Sequence, residues 1–140
     1  MSDLGFTHIA LVVRDLEASI AFYARFANMH VIHRREGSDE DNAVAWIGDG
    51  TRPFVIVLIH MADRQETPLG PVGHLGVACA SRAEVDRLAT KALAEGILLR
   101  QPEDWGVPVG YFANITDPDG NVLEVSHGQD VALTVATEGK

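Results

Sequence analysis

Apolar residues in this chain come in short runs, and the order of the runs repeats. The first, Ile9-Ala-Leu-Val-Val13, is opened by Thr7-His8 and predicts a buried strand over 7–13. Asp15 then stands where a helix cap is needed, ahead of Leu16, Ile20, Phe22, Tyr23 and Phe26, which fall along one broad helical stripe that should end near Asn28. Strands are predicted next over 29–35, 43–47 and 54–60, separated by the turn-forming residues of 36–42 and 48–53. Residues 61–72, with Pro68, Gly70 and Pro71, keep neither period and read as a connector. The same series then begins again. Gly73-His74-Leu-Gly-Val-Ala-Cys79 is a second histidine-led strand, and Ser81-x-x-Glu84 is a capping box. The helix behind it carries Val85, Leu88, Ala89, Ala92 and Leu93 in register, with Gly96 as its stop. Strands follow over 97–100, 109–116 and 121–127, the last two joined by the hairpin signal Asp117-Pro-Asp-Gly-Asn121.

The order is βαβββ twice over, an internal duplication that places His8 opposite His74, Asp15 opposite Ser81 and Phe22 opposite Leu88. Alternation along a strand puts His8, Ala10 and Val12 on one side and Ile9, Leu11 and Val13 on the other. In the second copy His74, Gly76 and Ala78 stand opposite Leu75, Val77 and Cys79. The bulky sides should take the helices. The histidine sides, lined by small residues, leave room for a cavity. The fold class expected is therefore α+β, two tandem modules over 5–62 and 72–128 within one domain spanning 1–128, and 129–140 reads as a tail that frays or packs on another subunit.

The composition narrows the partners. At 140 residues, 46% hydrophobic and 22% charged, the chain has the make-up of an ordinary globule, and neither half alone would bury much core. Twenty Asp and Glu against 11 Lys and Arg give a net charge of −9, which repels phosphate backbones and anionic lipid. Nucleic acid and membrane surfaces are thus disfavoured, and a small molecule is the expected partner. The single cysteine, Cys79, has no mate for an intrachain disulfide. A basic start with a continuous apolar run is absent, as is any run near the roughly 18 apolar residues of a membrane span, so a cytoplasmic location is expected.

The chemistry centres on three residues. Glu124 shares a strand face with Val122 and Ser126 among apolar neighbours, where a carboxylate needs a cation or strong donors opposite it. With His8 and His74, each on a different strand, it makes a mixed nitrogen and oxygen set suited to a divalent ion with open positions. Taken singly, each histidine can be no more than the first residue of its strand and Glu124 a solvent-facing edge residue. The duplication joins them, because equivalent histidines meet near a pseudo-twofold axis. Trp46, Trp105, Tyr111 and Phe112 read either as strand packing or as the lining of an apolar pocket. His30, His33 and His127 read as surface, and the acidic run 36–41 as a solvated loop that could act as a lid.

The opening His8-Ile-Ala-Leu-Val-Val-Arg-Asp-Leu-Glu-Ala-Ser-Ile-Ala-Phe-Tyr23, the mid-chain Gly73-His74-Leu-Gly-Val and the final Asp117-Pro-Asp-Gly-Asn-Val-Leu-Glu124 resemble the vicinal oxygen chelate superfamily, which holds glyoxalase I, extradiol dioxygenases, fosfomycin-resistance and bleomycin-binding proteins. The resemblance covers residues 6–128. It implies paired βαβββ modules forming a curled mixed β-sheet around a metal or ligand cavity, helices outside, often as a homodimer. It also implies that His8, His74 and Glu124 match the metal positions, for one ion of Fe, Mn, Ni or Zn. Glyoxalase I-like members add a fourth, acidic ligand on the last strand of the first module; here the equivalent is Val57 or Leu58, with His60 a substitute only in a different register. In the extradiol dioxygenase signature the tyrosine before the Asp-Pro pair falls on Asn114, and the assisting histidine is replaced by the stretch from Trp105. Fosfomycin-resistance proteins surround a phosphonate with cations, and 97–116 offers only Arg100. The function expected is a divalent-metal-dependent lyase, isomerase or dioxygenase acting on a small substrate with vicinal oxygens, with Val57, His60, Trp105, Tyr111 and Asn114 around the substrate and no catalytic residue assigned. The alternative is a metal-free protein that binds an apolar small molecule.

Overall fold

The computed structural model describes residues 5–37, 42–63, 68–70 and 72–131. The centre of the expected acidic loop, part of the connector and the tail beyond Val131 lie outside the described residues. The chain divides into two compact units, Met1–Thr67 and Pro68–Lys140. Each carries one helix and one four-stranded mixed sheet, the α+β pattern of two βαβββ modules that the duplication predicts. No helix among the described residues is long and apolar enough to cross a membrane.

In the first unit, β1 (His8–Val13) runs parallel to β4 (Val55–His60), and β3 (Val44–Gly48) and β2 (His30–Arg35) add on antiparallel, giving the order β1-β4-β3-β2. Helix α1 (Leu16–Ala27) makes the crossover. Asp15 caps it by accepting from the Ala18 amide at 3.0 Å, and Asn28 closes it in a left-handed conformation, φ 53°. Phe22, Tyr23 and Phe26 are buried with Leu11, Val13, Ile47, Ile56 and Leu58, the alternate positions of β1, β3 and β4. Each such side chain contributes about 1.5–3 kcal/mol on leaving water, so burial of this stripe outweighs any helix propensity. The opposite positions His8 and Ala10 are exposed, as the alternation requires.

The second unit repeats the plan with β5 (His74–Ala78), α2 (Arg82–Ala94), β6 (Leu98–Asp104), β7 (Tyr111–Thr116) and β8 (Val122–His127), in the order β5-β8-β7-β6 with β5 parallel to β8. Val85, Leu88, Ala89 and Ala92 of α2 are buried together with Ala113, Ile115, Leu123 and Val125. Two local features differ from expectation. Only half of the capping box forms: Ser81 Oγ accepts from the Glu84 amide at 3.1 Å, but the Glu84 carboxylate is taken by a two-pronged contact with Arg87, at 2.9 and 2.6 Å. The guanidinium one turn along outcompetes a single backbone N–H for that carboxylate and holds it below the usual glutamate range. Strand β6 also runs on to Asp104 instead of stopping at Arg100, because it is the outer strand of its sheet. There Pro102 forfeits no essential ladder bond, and register shifts on either side of Arg100 absorb the irregularity.

The turn 117–121 is a structural hub. Asp117 is buried, and its Oδ1 accepts from the amides of Asp119 and Asn121 at 2.9 and 2.8 Å, while Oδ2 accepts from Asn121 Nδ2 at 3.0 Å. Asn121 Oδ1 in turn takes the Leu69 amide at 2.8 Å, and the Val122 amide reaches Leu69 O at 2.8 Å. Gly120 sits at φ +89°, a conformation that resists any side chain. The turn thus fixes both the start of β8 and the segment leading to β5. Asp117→Ala leaves three donors without their acceptor and is expected to lower stability by about 3 kcal/mol, read from urea unfolding. A loss under half that size would mean the turn holds itself by backbone bonds alone.

Candidate functional site

The site is built on the strand faces turned away from the helices. In the second unit the register pairs Gly76 with Glu124 and Glu124 with Asn114, so these three positions stand side by side across β5, β8 and β7. Gly76 presents no side chain; a Cβ there would lie 3.6 Å from Glu124 Oε2, so the space over the carboxylate stays open. Glu124 is 8% exposed. Its Oε2 accepts from Gln129 Nε2 at 3.2 Å, and its Oε1 faces His74 Nε2 at 3.9 Å. That separation is too long for a hydrogen bond.

The His74 ring is fixed from behind. Its Nδ1 lies 2.8 Å from Val72 O, and since a carbonyl only accepts, Nδ1 must carry the proton. In the neutral ring the Nε2 lone pair is then directed toward Glu124, the second-sphere arrangement by which metal-binding imidazoles are oriented. Two atoms each about 2.1 Å from one ion can be at most about 4.2 Å apart, and 3.9 Å lies inside that limit. The nitrogen and oxygen donors can therefore reach one ion at a wide angle of roughly 136°, and closing the gap by about 0.5 Å would give tetrahedral spacing. Asn114 adds a further sign. Its Oδ1 is the one buried side-chain polar atom among the described residues that has no hydrogen-bond partner, and such an atom costs stability unless something outside the chain satisfies it.

Trp105 stands at the end of β6, on the outer part of the same unit. Its ring meets Phe112 edge-on at 5.2 Å, its Nε1 donates to Glu103 Oε2 at 2.9 Å, and the Arg100 guanidinium lies 5.6 Å from its centre. The indole donor, with Arg100 at 3.0 Å, holds the Glu103 carboxyl below its ordinary range. Tyr111 takes the opposite face of β7 from Asn114. Its hydroxyl donates to Asp86 of α2, which raises its pKa above the usual phenol value, and Arg82 covers its ring at 4.1 Å. The side chain is thereby engaged with the helix rather than with the Glu124 face.

In the first unit the register settles which residue corresponds to Glu124. His8 pairs with Val55 and Ala10 with Val57, as His74 pairs with Val122 and Gly76 with Glu124, so the counterpart is Val57 and not Leu58. His60 falls on the other face of β4, and its Nε2 donates to Arg14 O at 3.0 Å, which commits it to a structural bond. His8 is exposed, its Nδ1 bonded to Thr7 Oγ1 at 2.8 Å. Beside it lies a cavity of about 540 Å³ lined by His8, Ile32, Trp46, Phe54 and Val57, with Arg52 at its side. Within neither unit do three acidic, histidine or cysteine side chains of the described residues converge as a ready metal cluster. The structure thus joins His74 with Glu124 and Asn114, and His8 with Val57. Two participants were not legible beforehand: Gln129, in what reads as a tail, and Arg52, in what reads as a turn.

A family model described as the Glyoxalase/Bleomycin resistance protein/Dioxygenase superfamily matches residues 5–125. An uncharacterized protein of Pseudomonas aeruginosa, PA2024, is 41% identical over 125 residues, 88% of each chain. A lactoylglutathione lyase of Arabidopsis thaliana is 27% identical over 124 residues, 86% of this chain and 43% of that one. Among solved structures, a point mutant of the fosfomycin resistance protein FosX from Listeria monocytogenes, complexed with Mn(II) and a dihydroxypropylphosphonic acid, superposes with a TM-score of 0.70 at 19% identity, over 92% of this chain and 93% of that one.

Proposed function

Because the chain belongs to the Glyoxalase/Bleomycin resistance protein/Dioxygenase superfamily, we propose that it is a divalent-metal-dependent enzyme acting on a small substrate with two neighbouring oxygens. His8, His74 and Glu124 are its metal ligands, and the working form is a cytoplasmic homodimer. The observation that carries this is the His74–Glu124 pair: a lone pair aimed by Val72 O at a nearly buried carboxylate oxygen 3.9 Å away, open above because position 76 is glycine. The duplicated His8 supports a second nitrogen donor, and the Mn(II) of the FosX structure supports the kind of ion.

A divalent ion held by these ligands supplies Lewis acidity to adjacent substrate oxygens. Around it each residue has its own task. Gln129 orients Glu124 by donating to Oε2, leaving Oε1 free. The Asn114 Oδ1 is placed to accept from a substrate hydroxyl or N–H, which would satisfy it. Val57 is where this chain departs from a four-ligand site, since an alkyl group neither binds a cation nor takes up a proton. A reaction that moves a proton between neighbouring carbons must therefore find its base elsewhere. Protein purified without chelator is expected to carry about one Fe, Mn, Ni or Zn per chain and to lose turnover in EDTA. Absence of metal, with small-molecule binding that is indifferent to EDTA, would leave the metal-free binding protein as the function.

A further inference from the structure

The cavity of the first unit has its own chemistry, apart from the ligands. Trp46 is paired in register with Val57, and both project with His8 on the face away from α1. Trp46 is 41% exposed and Ile32 51%, so two large apolar side chains stand open to the same space, with Phe54 beside them. The His33 ring meets Trp46 edge-on at 5.1 Å and steadies the indole from the neighbouring strand. A volume of about 540 Å³ is that of a pocket for a small organic molecule, and an apolar wall with an aromatic ring favours an aromatic or branched apolar body.

The polar groups in its lining choose the rest of the ligand. Among the described residues no carboxylate lines the cavity, although Asp and Glu outnumber Lys and Arg in the chain by 20 to 11. The nearby Asp49 is occupied: its Oδ1 accepts from the Thr51 amide and hydroxyl at 2.9 and 2.7 Å, and these bonds hold it below the usual aspartate range. Arg52 is the one guanidinium in the lining among the described residues. Its Nε donates to Thr51 Oγ1 at 3.2 Å, a bond that anchors the side chain and leaves the terminal fork for an acceptor from outside. The Arg52 charge also helps to hold Asp49 ionised, but that carboxylate is already committed to Thr51, so a guanidinium beside this apolar cavity complements a ligand with one anionic group on an apolar body.

We propose that this cavity binds the aromatic or apolar body of a small organic anion, with Arg52 holding its carboxylate or equivalent anionic group. The assignment names the substrate class for the site described above and rests on that function only through His8, which borders the cavity. The position equivalent to Glu124 is thus given over to substrate binding in this unit, and Val57 forms part of the pocket wall.

The test uses the full chain, 1-naphthoate as the anionic probe and 1-naphthalenemethanol as its neutral counterpart. Indole N–H signals in a ¹H–¹⁵N NMR spectrum report on the chain's two tryptophans, and Trp105→Phe assigns them. Naphthoate should shift the Trp46 signal saturably, with or without EDTA. Arg52→Gln should weaken naphthoate by about tenfold or more, the size expected for a charged hydrogen bond, and leave the neutral alcohol unchanged. Trp46→Ala should weaken both. Because Arg52 and Trp46 are surface-facing, an unchanged thermal melt keeps the variants interpretable. A Trp46 signal unmoved at millimolar naphthoate, a shift confined to Trp105, or equal loss of both probes in Arg52→Gln would overturn the proposal. Metal retained with no naphthoate shift refutes the pocket and spares the metal site; naphthoate bound by protein that carries no metal when purified without chelator does the reverse.

Discussion

His74→Ala is expected to strip the divalent ion from the protein, weakening metal affinity by more than the 10–100-fold that follows loss of a mere second-sphere partner, and to abolish turnover with it. Its effect on folding should be small. The side chain is 45% exposed and makes one hydrogen bond, to Val72 O, so the melting temperature should move by only a few degrees. The contrast between a large loss of metal and a small loss of stability is what distinguishes a ligand from a strand-end histidine. Metal content measured by elemental analysis, beside a thermal melt, reads both. A variant that keeps its full complement of metal would show that His74 is no ligand.

Val57→Glu is the second change of large expected effect, and it runs in the other direction. It would place a carboxylate at the position in the first unit that the register makes equivalent to Glu124, two residues along from the pair of His8. Without metal the change should cost about 1–3 kcal/mol, because a charge replaces an alkyl group beside Trp46 in an apolar cavity. With metal, a fourth protein ligand should raise affinity by at least about tenfold, worth about 1.4 kcal/mol, and so offset part of the lost stability by linkage. The new carboxylate would also provide a base for proton transfer between adjacent carbons. Competition against a chelator of known affinity, with melts in EDTA and in excess metal, separates these effects. Unchanged metal affinity would mean that position 57 faces something other than the metal site.

Much of the fold could be read from the chain because its elements are short, capped and duplicated. Asp15 and Ser81 cap where the sequence places them, and the two histidine-led strands show the alternation their small and bulky positions imply. The features that escaped depend on competition or on pairing that one segment does not reveal. Glu84 had two possible partners, and only the structure shows Arg87 taking it. Strand β6 passes Pro102 because it lies at a sheet edge, which is a fact of topology. The choice between Val57 and Leu58 needed the register of β1 against β4.

Other features of the site are legible in the strand spacing. Tyr111 is an odd number of residues from Asn114, so the two project from opposite faces of one strand, and His60 stands in the same relation to Val57. Both follow from counting, and the structure bears them out by giving Tyr111 to Asp86 and His60 to Arg14. The need of Glu124 for a partner was clear from its apolar surroundings, and the donor found is Gln129, whose position follows from the course of the chain after β8 and not from any local pattern. Arg52 belongs with it, since turn residues reveal their neighbours only once the strands they join are in place.

The most direct measurement is an anomalous difference map from crystals grown with Mn(II) and without chelator. One peak per chain is expected, with His8, His74 and Glu124 all within about 2.0–2.3 Å of it, contributed by one chain or by two. No peak, or a peak with His8 outside bonding distance of an ion that His74 and Glu124 hold, would contradict the three-ligand site on which the proposed function stands.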